Sequence, residues 1–154
     1  QKDQEQLADL TEKLQSISHV VDFESLKGRL AWPVEGKIVR HFGREYDKTT
    51  NTETFSPGIQ IKVSSGTEVA ASAAGTVAHA GYLRGYGNMV ILDHGRGWYT
   101  LYGHLSRITR SIGESVERGG IIGYSGESGS NLGPVLFFGV RKGSQSYDPI
   151  EWLI

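Results

Sequence analysis

Five histidines are the side chains of this sequence best suited to metal binding or proton transfer: His19, His41, His79, His94 and His104. A catalytic zinc ion needs three protein ligands and an open position for water. No two of these histidines are two or four residues apart, the spacings that place two ligands on one face of a strand or helix. The chain has no cysteine, which excludes thiolate ligands and a disulfide framework. The histidine pattern alone therefore offers no metal site.

The elements that would position reactive side chains are predicted to be short strands. Runs rich in Val, Ile, Tyr and Thr alternate with turns that contain Gly, Pro, Asn and Ser. The predicted strands cover residues 37–40, 58–63, 68–70, 75–81, 88–93, 98–104, 115–116, 121–122 and 135–141. Because no helical period follows residue 30, the pattern predicts an antiparallel all-β fold.

The first 27 residues have a different pattern from the rest of the chain. Their apolar residues follow the 3-4-3-4 spacing of a coiled-coil seam: Leu7, Leu10, Leu14, Ile17 and Val21. A single amphipathic helix packed on the sheet is the alternative. We predict that residues 1–27 are the C-terminal end of a coiled coil or helix and that residues 28–154 form the β domain. Because the chain begins with Gln1, we expect it to be part of a longer protein.

Charge and hydropathy exclude two classes of partner. The formal net charge is −1, and the basic residues are scattered along the sequence, so there is no basic patch for nucleic acid or an anionic membrane surface. No apolar run approaches the roughly 18 residues that a membrane span requires. Neither partner is therefore favoured, and we expect no nucleic acid.

Three stretches carry a resemblance to a known family. They are Phe-Ser-Pro-Gly-Ile-Gln-Ile at 55–61, the run from Gly85 that ends in Tyr-Gly-His-Leu at 102–105, and Gly-Pro-Val-Leu-Phe-Phe-Gly at 133–139. In order and spacing they resemble the LytM or lysostaphin-type zinc endopeptidase domain, over about residues 30–152. The resemblance implies an antiparallel β-sheet domain of the duplicated-hybrid-motif type.

The chain differs from that family at the residues of the active site. The family's enzymes carry His-x-x-x-Asp in the first stretch and His-x-His in the last. The resemblance places Ser56, Gln60 and Phe137 at zinc-ligand positions and Val135 where a histidine assists the attacking water. His104 matches the remaining active-site histidine. None of the four replacements offers an imidazole or a carboxylate, so we expect no bound metal or other cofactor and no hydrolysis by the family mechanism.

The altered cleft is predicted to be a partner-binding groove. Side chains alternate along a strand, so Val135, Phe137, Gly139 and Arg141 should share one face of the sheet. An apolar floor of this kind suits an amphipathic helix or an extended peptide. The predicted groove residues are Gln60, Tyr82, Arg84, Tyr86, His104, Tyr124, Val135, Phe137 and Arg141. The alternative is that Val135 and Phe137 were absorbed into the core after the metal site decayed.

Together, the heptad segment and the degenerate domain resemble the EnvC-type cell-division factors. That resemblance implies a periplasmic, non-catalytic activator of an N-acetylmuramoyl-L-alanine amidase, with a coiled coil that recruits a membrane complex. Peptidoglycan is a further candidate partner. Two alternatives are a peptidoglycan-binding module without catalysis and a residual zinc endopeptidase.

Overall fold

The computed structural model describes residues 23–154, which contain twelve β-strands, two short 3₁₀ helices and no α-helix. The 3₁₀ helices are Glu24–Leu26 and Pro149–Glu151. The strands are β1 (Lys37–Arg40), β2 (Gly43–Asp47), β3 (Thr52–Ser56), β4 (Ile59–Lys62), β5 (Glu68–Ala70), β6 (Gly75–Leu83), β7 (Gly87–Gly95), β8 (Trp98–Ile108), β9 (Ser115–Val116), β10 (Ile121–Ser125), β11 (Val135–Lys142) and β12 (Gln145–Tyr147). Within this part of the chain, no helix has the length and apolar character needed to cross a membrane.

Ten of the strands form one antiparallel sheet. Its order is β1-β4-β11-β8-β7-β6-β9, with β10 joined to β5 and β8 and β12 joined to β11. A two-residue turn connects β7 to β8, and its residues Arg96 and Gly97 have φ values of 51° and 82°. Two positive φ angles are typical of the type I′ turn, whose twist matches that of the flanking strands. Because β4, β11 and β8 are neighbours, residues distant in sequence meet across them.

The alternation predicted for β11 is confirmed. Every second residue of this strand enters the main core: Leu136, Phe138 and Val140. Phe137 instead lies in a smaller apolar cluster with Met89 and Leu101. Phe137 therefore belongs to the face of the sheet that the main core leaves free, and this face carries the candidate site.

An aromatic cluster joins the first described residues to the sheet. Phe23 is only 2% exposed, and its ring lies 4.7 Å from His94 and 5.2 Å from Trp152, measured between centroids. The Trp98 indole N–H donates to the Glu24 carboxylate at 3.2 Å. Phe23 thus packs on the domain although it falls within the predicted helical segment 1–27. The heptad residues of that segment lie outside the described residues, so the coiled coil and its boundary stay predictions.

The antiparallel all-β prediction is confirmed, and each of the nine predicted runs overlaps one strand. Residues 44–54 contain none of the predicted strands, yet they form most of β2 and β3, which pair only with each other. Their side chains are nearly all exposed, so the segment lacks the apolar alternation by which a half-buried strand is recognised. β12 was also not predicted: it is not fully buried at any position, and Tyr147 is its only β-branched or aromatic residue.

Candidate functional site

Four of the five predicted active-site positions meet on one face of the sheet. Gln60 of β4 lies opposite Phe137 of β11, and Phe137 lies opposite Gly103 of β8. His104 follows Gly103, and its Nε2 atom lies 3.5 Å from the Nε2 atom of Gln60. Ser56, the last residue of β3, lines the same cavity as Gln60 and Phe137. The antiparallel pairing of β4, β11 and β8 therefore brings the three family motifs together.

Phe137 fills a space that three glycines leave open. A Cβ atom added to Gly58 would lie 2.7 Å from the Phe137 ring, and one added to Gly139 would lie 3.3 Å from it. A Cβ atom on Gly103 would lie 3.2 Å from the Cβ atom of Phe137. Tyr86 covers the ring, with 5.0 Å between centroids. Phe137 is consequently buried, which agrees with the alternative that this side chain was absorbed into the core. The residue nevertheless also lines a cavity.

Hydrogen bonds determine the protonation of the His104 ring. Its Nδ1 atom lies 2.8 Å from the carbonyl oxygen of Ser128. Because a carbonyl oxygen can only accept, Nδ1 carries the proton and donates it. Burial lowers the pKa of His104 below its usual value, more than the Ser128 carbonyl raises it, so the ring is neutral at pH 7. Its Nε2 atom is then an acceptor, and the amide NH₂ group of Gln60 donates to it.

The backbone of His104 has a left-handed conformation, with a φ angle of 62°. For a residue with a Cβ atom, this region costs about 1–2 kcal/mol. Strained backbone of this kind persists only where the surrounding structure holds it, and it is concentrated at functional sites. Here the hydrogen bond from the His104 N–H to the carbonyl of Tyr86, 2.6 Å long, is part of that restraint.

The side chains at this site do not fit the zinc ion that the family's enzymes hold. Zinc is bound by imidazole, thiolate or carboxylate groups. Ser56 is a neutral hydroxyl that donates to the Gly58 carbonyl at 2.8 Å, Gln60 is a neutral amide, and Phe137 has no donor atom. Within residues 23–154, no three His, Cys, Asp or Glu side chains lie close enough together to hold a metal ion. No step through a metal can therefore be assigned to His104.

A cavity of about 260 Å³ opens at these residues, and we call it the Gln60 cavity. Gln60 and Phe137 line it, together with three ring-bearing residues: Phe55, Pro57 and Tyr86. Arg40 and Glu45 add one charge of each sign, and neither forms an ion pair with another residue of the described range. The cavity thus combines aromatic surface, a buried amide and two charges that remain available to a ligand.

Six predicted groove residues do not line the Gln60 cavity. One of them, His104, is hydrogen-bonded to the lining residue Gln60. Arg141 lines a second cavity of about 20 Å³, and its Nε atom donates to the carbonyl of Gly143 at 2.8 Å. Val135 is buried, whereas Tyr82 and Arg84 are exposed near the end of β6 and Tyr124 is half-buried in β10. These three tyrosine and arginine side chains line neither cavity. Their part in partner binding, like that of Val135, stays a prediction.

Ser128 organises the site, although no sequence motif points to it. Its hydroxyl donates to the Leu105 carbonyl at 2.6 Å and accepts from the Asn88 backbone N–H at 3.0 Å. Its carbonyl oxygen orients the His104 ring. A Cβ atom on Gly87 would lie 2.0 Å from that same oxygen. One serine therefore fastens the loop between β10 and β11 to the strands that carry the site.

Comparison with known proteins agrees with this architecture. The chain is 36% identical over 127 residues to the murein hydrolase activator EnvC of Escherichia coli, an alignment that covers 82% of this chain and 29% of that protein. It is 35% identical over 116 residues to the cell division protein DipM of Caulobacter vibrioides, covering 75% of this chain and 18% of that protein. The chain thus spans less than a third of either relative.

A solved structure has the same fold. The catalytic domain of lysostaphin, an antimicrobial peptidase from Staphylococcus simulans, superposes with a TM-score of 0.65 at 27% identity, covering 75% of this chain and 90% of that one. Residues 54–149, which contain the whole candidate site apart from Arg40 and Glu45, match the model of peptidase family M23. The chain therefore belongs to peptidase family M23.

Proposed function

We propose that this chain is a non-catalytic regulatory domain that binds and activates a peptidoglycan amidase, of the N-acetylmuramoyl-L-alanine amidase type, during bacterial cell separation. The similarity to a murein hydrolase activator supports the activating role. The similarity to a cell division protein supports action at the division site. Both the amidase and the septum are in the envelope, so the proposed location is the periplasm.

The observation that carries this proposal is the chemistry at the former ligand positions. A metallohydrolase needs a ligand set that holds a metal and lowers the pKa of its bound water. Here Gln60 is hydrogen-bonded to His104, and Phe137 is packed under Tyr86. The family's scaffold is retained while its means of cleaving a peptide bond are not, and binding is the function that such a scaffold still supports.

The surface around the Gln60 cavity has the properties of a protein contact. Arg40 and Glu45 form no ion pair within the described residues, and Phe55, which also lines the cavity, is 57% exposed. Aromatic and arginine side chains next to a pocket are the groups that contribute most to binding at protein interfaces. The proposed partner is therefore the amidase, with peptidoglycan as a further ligand and a membrane complex recruited through the predicted coiled coil of residues 1–27.

The test is an amidase assay with purified components. Dye-labelled peptidoglycan is incubated with a purified amidase, with and without the chain, and released dye is measured. We expect release to increase when the unaltered chain is present. Arg40→Glu and Phe55→Ala should each reduce this activation at least severalfold, because they alter the charge and the aromatic surface that line the cavity without removing buried side chains.

Matched controls distinguish a contact surface from a general effect on the protein. Ile112 is 66% exposed, so Ile112→Ala removes a comparable apolar side chain at another place on the surface. Arg118→Glu makes the same charge change as Arg40→Glu in the turn between β9 and β10. Both controls should activate normally. Equal activation by all four variants would remove the Gln60 cavity from the proposal.

Two further measurements test the alternative functions. Stoichiometric zinc in the purified chain, together with muropeptide cleavage in the absence of amidase, would restore the hydrolase interpretation. Sedimentation with isolated cell walls, without any effect on amidase activity, would favour the peptidoglycan-binding module. Neither result is expected if the partner is the amidase itself.

A further inference from the structure

The Gln60 side chain leaves a buried hydrogen-bond acceptor without a partner. Gln60 is 9% exposed, and its Oε1 atom has no hydrogen bond within the described part of the chain. The opposite orientation of the amide would turn Oε1 toward the unprotonated Nε2 atom of His104, so that two acceptors would face each other. The His104 ring therefore keeps the oxygen unpaired. A buried acceptor of this kind is costly until a donor reaches it.

The Gln60 cavity offers a route to that acceptor. Gln60 is one of the cavity's lining residues, and the terminal torsion of a glutamine side chain is soft. Rotation about this torsion is the motion by which Oε1 would turn toward a donor in the cavity. A ligand group in this cavity therefore gains from carrying an N–H or O–H donor at the end that meets Gln60.

The other lining groups limit the rest of the ligand. The rings of Phe55, Tyr86 and Phe137 present flat apolar surface, which favours a flat apolar group in offset or edge contact. Arg40 and Glu45 carry opposite charges, so their fields partly cancel and neither a cation nor an anion has a clear advantage. A neutral flat group fits better than a guanidinium or a carboxylate.

The size of the cavity indicates how much of a ligand enters it. Cavities that enclose a whole small-molecule ligand usually measure about 300–1,000 Å³. The Gln60 cavity, at about 260 Å³, lies below that range. It is suited to one anchoring side chain of a larger partner, and tryptophan is among the residues most enriched as such anchors.

We infer that the Gln60 cavity receives a tryptophan side chain of the partner protein, with the indole N–H donating to Gln60 Oε1 and the ring packed between Phe55 and Tyr86. This inference rests on the proposed function, because it names the chemical group of the partner that enters the site. It also explains why a neutral amide at position 60 suits a binding domain: the amide supplies an acceptor that no other group of the described site uses.

The direct test uses two small probes on the unaltered chain. Indole and 1-methylindole have nearly the same ring, but only indole has an N–H donor. In a titration followed by ¹⁵N–¹H NMR, indole should shift the side-chain amide signals of Gln60 saturably, with the weak affinity expected of a small fragment. 1-Methylindole should bind about tenfold more weakly, because it leaves the buried acceptor unpaired. Equal binding of the two probes overturns the inference.

A variant and a charged probe complete the test. Gln60→Leu removes the acceptor and keeps an apolar side chain, so indole and 1-methylindole should bind it equally; its folding is verified by the dispersion of its NMR spectrum. Retained discrimination in this variant contradicts the role of Gln60. Methylguanidinium should bind more weakly than indole, and tighter binding would identify a cationic anchor instead.

The amidase assay separates this inference from the proposed function. At sub-saturating concentrations of the chain, indole should reduce activation, and 1-methylindole should reduce it less. Indole that binds at Gln60 without affecting activation would show that the partner does not use the cavity. Absence of activation in the samples without indole would refute the proposed function, and this outcome does not depend on the probes.

Discussion

The left-handed backbone of His104 predicts an inverted order of stability for glycine and alanine at this position. Both His104→Gly and His104→Ala lose the imidazole and its hydrogen bonds to Ser128 and Gln60, so both should be less stable than the unaltered chain. Only glycine relieves the strain of the φ angle of 62°. That relief is about 1–2 kcal/mol, and the greater freedom of glycine in the unfolded chain offsets about 0.4–1 kcal/mol of it.

We therefore expect the free energy of unfolding of the glycine variant to exceed that of the alanine variant by about 1 kcal/mol, which is the relief of backbone strain minus the effect of glycine on the unfolded chain. It can be measured by urea unfolding followed by the fluorescence of the three tryptophans. With a denaturant slope of about 2 kcal/mol per molar urea, the midpoint of the glycine variant should be about 0.5 M higher.

Arg107 provides the control for this comparison. It is an exposed residue of the same strand and is not among the residues with positive φ. At an ordinary strand position glycine should be less stable than alanine by about 0.5–1 kcal/mol, so the order of the two variants should reverse between positions 104 and 107. A glycine variant no more stable than alanine at position 104 would refute the strain that we assign to His104.

Three further predictions concern pH and packing. Burial lowers the pKa of His104 in the folded chain, so as the pH falls the histidine of the unfolded chain is protonated before that of the folded chain. The contribution of His104 to the free energy of unfolding should therefore be fully present above about pH 6.5 and should decrease as the pH falls through that value. In urea unfolding measured at several pH values, His104→Gln should make this dependence on pH less steep. Gly87→Ala places a Cβ atom 2.0 Å from the Ser128 carbonyl oxygen and should lower the midpoint of thermal unfolding. Gly85→Ala is the control, because Gly85 also has a positive φ but its added Cβ atom meets nothing within 4 Å. The decrease should be much larger for Gly87→Ala. Phe23→Ala opens a cavity in the aromatic cluster and should lower the free energy of unfolding by about 3–5 kcal/mol in denaturant titration.

The candidate site is built from neutral groups. Gln60 and His104 form a neutral amide and imidazole pair, and Phe137 places an apolar ring opposite Gln60. None of these side chains needs a cation to balance its charge, and the buried Oε1 atom of Gln60 is the acceptor that a hydrogen-bond donor would satisfy.

The sequence by itself determined the strand pattern and the residue types at the positions where the family resemblance places zinc ligands. The nine predicted runs contained enough β-branched and aromatic residues between glycine turns to be recognised without a structure. The alternation of β11 followed from the two-residue period of a strand, which depends only on backbone geometry. Residue types alone were sufficient to predict that Ser56, Gln60 and Phe137 lack the donors that zinc requires.

Only the tertiary structure decided what the altered site contains. Arg40 and Glu45 reach the Gln60 cavity because β1 pairs with β4 and the exposed β2–β3 ribbon lies beside them, and pairing between distant segments leaves no local sequence signal. The burial of Phe137 depends on three glycines from different parts of the chain. The hydrogen bond from His104 to Ser128 joins residues 24 positions apart. These contacts depend on how the strands come together, so the sequence alone could indicate which residue types the site contains but not how they are arranged around the cavity.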